Sequence, residues 1–240
     1  MPMFAAMPPL QSLLAPLLLV SLAGTACAED NVVLVELFTS QGCPNCPPAD
    51  ETIAELAERD DVLALSLHVD YWNYLGWKDT FAQAEHTARQ AEYRDQLGTR
   101  VLFTPQVVVD GTRSVPGYKR DMIDAAIAKA EDSAHPASIE IGSTDGMLHA
   151  RISSEGQHGP ATIWVASYDC AATVEIERGE NAGRKFTYGN VVEKLMKVGP
   201  WHASGTESFP LPQPRPGEGI AVWLQDDRTG RVLATSFVEE

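Results

Sequence analysis

Cys43 and Cys46 stand two residues apart in the run Phe38-Thr39-Ser40-Gln41-Gly42-Cys43-Pro44-Asn45-Cys46-Pro47-Pro48. Two thiols at this spacing can perform exchange: one thiolate attacks a foreign disulfide, and the other resolves the mixed disulfide that results. The same spacing also serves soft-metal sites and static bridges, so the context has to decide. At a helix start, the sulfur of Cys43 would sit near unpaired N–H groups and the positive dipole end, which favours a thiolate. Cys46, one turn in, would then be the resolving thiol. The nearest following basic residue is Arg59, so activation has to come from the helix terminus or from groups the fold supplies. Pro47-Pro48 works against it, because proline disfavours helical geometry in the residue before it. A helix beginning after the pair would leave Cys43 in a loop.

The surrounding pattern supplies the elements that would hold the pair. Asn31 to Phe38 is a nearly continuous β-prone apolar run, as in a strand buried on both faces. After the cysteines, Ile53, Leu56 and Ala57 share one helical face. Val62 to Val69 predicts a second strand, and Asp79 to Leu97 predicts a helix capped by Asp79 or Thr80 and stopped by Gly98. Val101 to Phe103 and Gln106 to Val109 lead to Asp110-Gly111, a hairpin signal before Thr112 to Val115. Lys119 to Ala130 repeats apolar residues at three and four, which predicts a closing helix.

From about His135 the helical period fades, and short β-prone runs alternate with turn residues: Ser138 to Ile141, Met147 to Ile152, Thr162 to Tyr168, Thr173 to Ile176, Gly219 to Leu224 and Val232 to Val238. That pattern predicts a small β-sandwich. Residues 1–28 read as a secretory signal, with an apolar run from Leu10 to Gly24 and an Ala26-Cys27-Ala28 cleavage site, although no Lys or Arg precedes the run. The expected layout is therefore a signal over 1–28, an α/β domain over 29–134 and a β-rich domain over 135–240. No transmembrane segment is expected after signal removal, and the destination is periplasmic or secreted. There, Cys43, Cys46 and Cys170 are an odd count, which speaks against a disulfide-stapled scaffold. A net charge of −15 without a basic run argues against a nucleic-acid partner.

The order strand, CxxC, helix, strand, helix, Thr104-Pro105, hairpin and closing helix resembles the thioredoxin-like superfamily. The resemblance implies a central mixed sheet flanked by helices, with Asp79 to Leu97 as a helical insertion. It further implies that Pro105 is cis, faces the cysteines and, with Thr104, pairs its backbone with a substrate peptide. Glu36 lies near where thioredoxins keep a buried carboxylate that relays a proton to the resolving cysteine. Pro44 matches the first central residue of glutaredoxins and the periplasmic oxidants, which implies a more oxidising couple. Val35-Glu36-Leu37-Phe38-Thr39-Ser40-Gln41-Gly42-Cys43, Cys46-Pro47-Pro48-Ala49-Asp50, His68-Val69-Asp70-Tyr71-Trp72, Leu75-Gly76-Trp77-Lys78-Asp79, Thr104-Pro105-Gln106-Val107-Val108-Val109-Asp110-Gly111 and Arg178-Gly179-Glu180-Asn181-Ala182-Gly183-Arg184 resemble more closely a secreted thioredoxin-like family whose domain is catalogued only as being of unknown function.

Three readings follow. In the first, a thiol–disulfide oxidoreductase uses Cys43, Cys46, Thr104, Pro105 and Glu36, with a protein thiol or disulfide as partner and no cofactor beyond the redox-active Cys43–Cys46 pair. In the second, Cys43, Cys46 and His68 hold copper or another soft metal, as in copper-handling thioredoxin relatives, with His68 and Asp70 facing one side of a strand end. In the third, a static Cys43–Cys46 bridge braces a binding module, whose cleft Tyr71, Trp72, Tyr74 and Trp77 would line. Cys170 reads as a small buried hydrophobe, and the loop bearing Arg178, Glu180, Asn181 and Arg184 as a polar turn.

Overall fold

The computed structural model describes Met1 and residues 32–133, 135–154, 159–201 and 205–240. The apolar leader, Cys27 and the expected cleavage site lie outside these residues. Among the described residues no helix is long and apolar enough to cross a membrane.

Strand β1 (Val33–Thr39) is buried along its whole length. It pairs in parallel with β2 (Val62–His68), from Val33 opposite Val62 to Thr39 opposite His68. Helix α1 (Pro47–Leu56) connects them, and α2 (Ala84–Leu97) follows β2. On its other edge β1 meets β3 (Gln106–Val109) antiparallel, and β3 turns into β4 (Arg113–Pro116). Asp110 and Gly111 make that turn with φ of 49° and 65°, the twist a two-residue hairpin loop requires. Helix α3 (Arg120–Glu131) closes the unit.

Alternation along β1 divides the molecule. Val33, Val35 and Leu37 face α1 and α3, packing on Ala49, Ile53, Leu56, Ile123 and Ile127. Leu34 and Phe38 face the other way, toward Tyr93 of α2. Each side buries a continuous apolar layer, as the unbroken β-prone run requires.

The remaining strands are β5 (Ala137–Thr144), β6 (Met147–Ser154), β7 (Ala161–Glu175), β8 (Lys185–Trp201), β9 (Gly205–Pro210), β10 (Glu218–Asp226) and β11 (Val232–Glu239). Four of them extend the first sheet, giving the order β11-β10-β7-β8-β2-β1-β3-β4. The junction is the parallel pair Ser66 and Val191, beside which the Ser66 hydroxyl donates to the Gly189 carbonyl at 2.8 Å. Strands β5, β6 and β9 form a separate three-stranded layer, whose Ile139, Leu148, Ala150 and Ile152 pack on Ile163, Val165, Ile220 and Val222. The β-rich half is thus sandwich-like, but its larger layer is the continuation of the α/β sheet.

Other elements depart from the sequence reading. Val101 to Phe103 is not a strand, and α2 starts at Ala84 with Gln83 at its N-cap, not at Asp79. Strand β7 runs unbroken through Cys170, where two short strands were expected. Strands β8 and β9 carry Lys, Gly, Ser and Pro among their apolar residues and present no apolar run to read.

Candidate redox site

The chain leaves β1 at Thr39 and turns, with the Cys43 N–H donating to the Ser40 carbonyl at 3.0 Å and the Gly42 N–H to the Ser40 hydroxyl at 3.1 Å. Helix α1 begins at Pro47. Cys46 is its N-cap, and its carbonyl accepts the N–H groups of Ala49 and Asp50 at 2.8 and 3.1 Å. Pro47 and Pro48 occupy the first helical positions, where a missing N–H costs nothing. The pair of prolines therefore sets the helix start, and the expectation that Cys43 stands at that start is corrected. Cys46 takes the terminus, and Cys43 lies in the preceding turn.

The two sulfurs form a disulfide, with Cα atoms 5.4 Å apart. Cys43 and Cys46 are 1% and 0% exposed, while Pro44 and Asn45 between them face solvent. A reagent approaching the bridge meets Pro44 and Asn45 first.

The Thr104–Pro105 peptide bond is cis. Gly117 fills the gap between Pro105 and α1: a Cβ there would lie 2.8 Å from Pro105 Cβ and 2.9 Å from Ala49 Cβ. Only a residue without a side chain lets that loop abut the helix carrying the cysteines. The Trp72 indole N–H donates to the Thr104 hydroxyl at 2.8 Å, and Trp72 also packs against Gly42. One aromatic side chain thus ties the cysteine turn to the proline loop. Of the other aromatics expected in a cleft, Trp77 donates to the Gln41 side chain at 2.8 Å, Tyr71 packs on the α2-side core and Tyr74 is 79% exposed.

Glu36 does not join the cysteines. It shares its face of β1 with Leu34 and Phe38, opposite α1, where Arg89 binds both its carboxylate oxygens and the Tyr93 hydroxyl donates to it. The shift that defeats this expectation is a single residue, since strand neighbours point to opposite faces.

The carboxyl that does lie on the cysteine side is Asp50, one turn on from Cys46. It is buried and accepts the Thr39 hydroxyl at 2.6 Å. Burial pushes it up to about 7, against the Thr39 hydrogen bond and the nearby His68, which lower it. A signal for it was present: Asp50 is three residues before Ile53 and seven before Ala57, so helical periodicity places a carboxyl on the apolar face of α1.

His68 is buried, with Nδ1 2.8 Å from the Asp79 carboxylate. Asp79 also accepts the N–H groups of Gln41 and Phe81, at 2.7 and 2.9 Å. Burial works against its ionisation, but the His68 charge and these hydrogen bonds prevail and hold its carboxyl below the usual range. This binding role is what takes Asp79 away from the expected helix cap. Asp70 instead bonds Thr87 of α2 at 2.7 Å, so His68 and Asp70 do not share a site. Among the described residues, the group of possible ligands gathered closely enough for one ion is Asp169, Glu193 and Glu218, which includes neither a cysteine nor His68.

The polar loop between β7 and β8 covers the bridge. Asn181, 3% exposed, donates through Nδ2 to the carbonyls of Gln41 and Cys43, at 2.9 and 3.0 Å, and its oxygen accepts from Arg184 at 3.1 Å. Gly179, at φ 81°, lets the loop close on Trp77. Replacing Asn181 with Ala removes two hydrogen bonds to the cysteine turn, so reduction of the bridge by dithiothreitol is expected to accelerate about tenfold. An unchanged rate in stopped-flow measurements would show that this loop does not limit access.

Three comparisons place the chain among known proteins. A crystal structure of a protein from Agrobacterium tumefaciens superposes with a TM-score of 0.74 at 32% sequence identity, covering 88% of this chain and 95% of that one. A protein described as "Probable Thioredoxin" from Archaeoglobus fulgidus is 41% identical over 39 residues, a match spanning 16% of this chain and 43% of that protein. The Cys43–Cys46 disulfide and this match agree with a thioredoxin-like redox character. Residues 34–225 match a family model directly, and the chain belongs to the family described as "Protein of unknown function (DUF1223)".

Proposed function

We propose that this chain is a periplasmic or secreted thiol–disulfide oxidoreductase, with Cys43 as the exchanging sulfur, Cys46 as the resolving one and Thr104-Pro105 seating the partner. The observation that carries the reading is the Cys43–Cys46 disulfide at the end of β1, tied through Trp72 to a cis Thr104–Pro105 loop. In the oxidising direction, a partner thiolate attacks Cys43 Sγ; a new S–S bond forms, and the Cys43–Cys46 bond breaks with its electron pair going to Cys46. A second partner thiolate then displaces Cys43 and leaves the partner oxidised. In the reducing direction, the Cys46 thiolate attacks the mixed disulfide at Cys43 and expels the partner thiolate.

Cys46→Ser removes the resolving sulfur but keeps the attacking one. With glutathione disulfide it is expected to accumulate a Cys43–glutathione adduct, visible by mass spectrometry, whereas the wild type returns to its internal bridge. A reactive Cys43 thiol that forms no such adduct would overturn the proposal. The burial of both cysteines and the Asn181 contacts favour a second reading, a static bridge bracing a binding module. A reduction potential below about −300 mV supports that reading, and a higher one supports exchange.

A further inference from the structure

The buried face of α2 is polar. His86, Arg89, Gln90 and Tyr93 follow one another at three- and four-residue spacing along it, where an amphipathic helix ordinarily places aliphatic side chains. The first three each hold a different segment: His86 the His68 carbonyl, Arg89 the Glu36 carboxylate, and Gln90 the chain on both sides of Thr104-Pro105.

Gln90 is 0% exposed, and its Nε2 donates twice, to the Phe103 carbonyl at 2.8 Å and to Gln106 Oε1 at 2.8 Å. Gln106 Nε2 in turn donates to the Ser114 hydroxyl of β4, also at 2.8 Å. The orientation of the Gln90 amide follows, since the Phe103 carbonyl only accepts and must face its nitrogen. Gln90 Oε1 is left buried without a donor, a penalty that an apolar side chain at this place would not carry. What the glutamine supplies is therefore the two bonds of its nitrogen, which staple Phe103 to Gln106 across Thr104-Pro105.

Fixing the Phe103 carbonyl also fixes the next amide. The Phe103–Thr104 peptide unit is trans, so its N–H points opposite to its C=O. With the carbonyl drawn in toward α2, the Thr104 N–H is turned away from the helix. Among the described residues nothing accepts it, and Thr104 is only half-buried. The Thr104 hydroxyl is meanwhile tied to Trp72, which packs on Gly42 beside Cys43. A free backbone donor and the cysteine turn are thus held in a fixed relation, from α2 on one side and from Trp72 on the other.

We propose, resting on the redox reading above, that Gln90 is a positioning residue for the partner: it keeps the Thr104 N–H aimed at a backbone carbonyl of an extended polypeptide whose sulfur reacts at Cys43. The bond favours a polypeptide over a small thiol or disulfide, which has no backbone carbonyl to offer. It strengthens seating and leaves the exchange between sulfurs unaltered.

The test compares two disulfides with the same leaving group. One is dithiobis(nitrobenzoate), and the other is a short Ala-Gly peptide whose single cysteine carries thionitrobenzoate as a mixed disulfide. The Cys43 thiolate of reduced protein attacks the peptide sulfur, an S–S bond forms between them, and thionitrobenzoate leaves with the electron pair as a coloured thiolate, followed by stopped-flow absorbance. Gln90→Met, which keeps the side-chain length and loses both bonds, is expected to react with the peptide about tenfold more slowly, through a raised KM. Its rate with dithiobis(nitrobenzoate) should stay within about twofold of wild type. Ser114→Ala removes only the outlying link at the sheet edge, and should slow the peptide reaction in the same sense, about threefold. A fall shared equally by the two reagents, or a peptide rate unchanged in both variants, would overturn the inference. The wild type alone gives a check that no variant's folding affects: esters in place of the amides flanking the peptide's cysteine accept hydrogen bonds more weakly and should slow it about threefold. Equal rates for the amide and ester peptides also overturn the role of Gln90. Failure of reduced wild type to release thionitrobenzoate from either reagent would instead overturn the redox reading itself.

Discussion

Arg89→Ala is expected to destabilise the oxidised protein by about 3–5 kcal/mol, because it strands a buried carboxylate. Arg89 is 3% exposed, and its Nε and Nη2 donate to the two oxygens of Glu36 at 2.5 and 2.9 Å. It also donates to the Tyr93 hydroxyl at 2.7 Å and to the Gln225 side chain at 3.2 Å. Its guanidinium lies 4.2 Å from the Trp164 ring centroid and 5.2 Å from that of Trp223, two rings stacked on each other. The one side chain therefore joins β1 and α2 to β7 and β10, across the junction between the α/β half and the β-rich half. Removing it leaves Glu36 buried with no cation beside it. Urea unfolding should show the loss as a lower midpoint. The double variant Glu36→Leu, Arg89→Met should lose much less than the two single changes together, since no charge then remains buried. A loss below about 1 kcal/mol for Arg89→Ala would mean that Glu36 protonates or rehydrates at little cost, and that the network is not what joins the halves.

The residues of this network also show why the sequence disclosed some parts of the molecule and hid others. Strand β1 and the Asp110-Gly111 hairpin were legible because each is decided locally, by an unbroken β-prone run and by residues that accept positive φ. Pro105 was found by its place in the order of elements, a property of topology more than of its own neighbours. Glu36 was misplaced because strand parity decides which face a residue meets, and an error of one position moves it across the sheet. Strand β8 was missed altogether: its Val191 and Val192 are buried, but Glu193, Lys194, Lys197 and Gly199 break any period. It is a strand because β7 and β2 flank it, which no local pattern records. Asn181 was readable only as a loop residue and Asp79 only as a helix cap, since their roles lie in carbonyls and side chains elsewhere in the sequence, 138 residues away for the Asn181 bond to Cys43. The chemistry-bearing cysteines were thus visible at once, while the groups that govern them came from tertiary contacts.

Asp50→Asn is expected to stabilise the oxidised protein at pH 8 by up to about 4 kcal/mol, and to leave it nearly unchanged at pH 4. The sign follows from the direction of the shift. Burial raises the Asp50 carboxyl from an unfolded value of 3.8 to about 7 in the folded protein. The folded state therefore holds the proton more tightly than the unfolded chain does. Its contribution to stability is complete below pH 3.8, declines as the unfolded chain ionises, and is lost once pH passes the folded value near 7. Asn is neutral at every pH and its amide oxygen still accepts the Thr39 hydroxyl, so the variant escapes the cost without losing the hydrogen bond. Two other groups act at the acid end. His86, lowered by burial to about 4, loses stability as pH falls from 6.5 toward 4, and Asp79, held below the usual range, loses it on further acidification. Both are present in wild type and variant alike, so the difference between their thermal unfolding curves isolates Asp50. That difference should grow from pH 4 to pH 7 and then level off. A gap constant with pH would mean that burial does not raise the Asp50 carboxyl above its unfolded value. A buried carboxyl that ionises near neutral pH weakens the fold when it does, because burial denies its charged form the water it has in the unfolded chain.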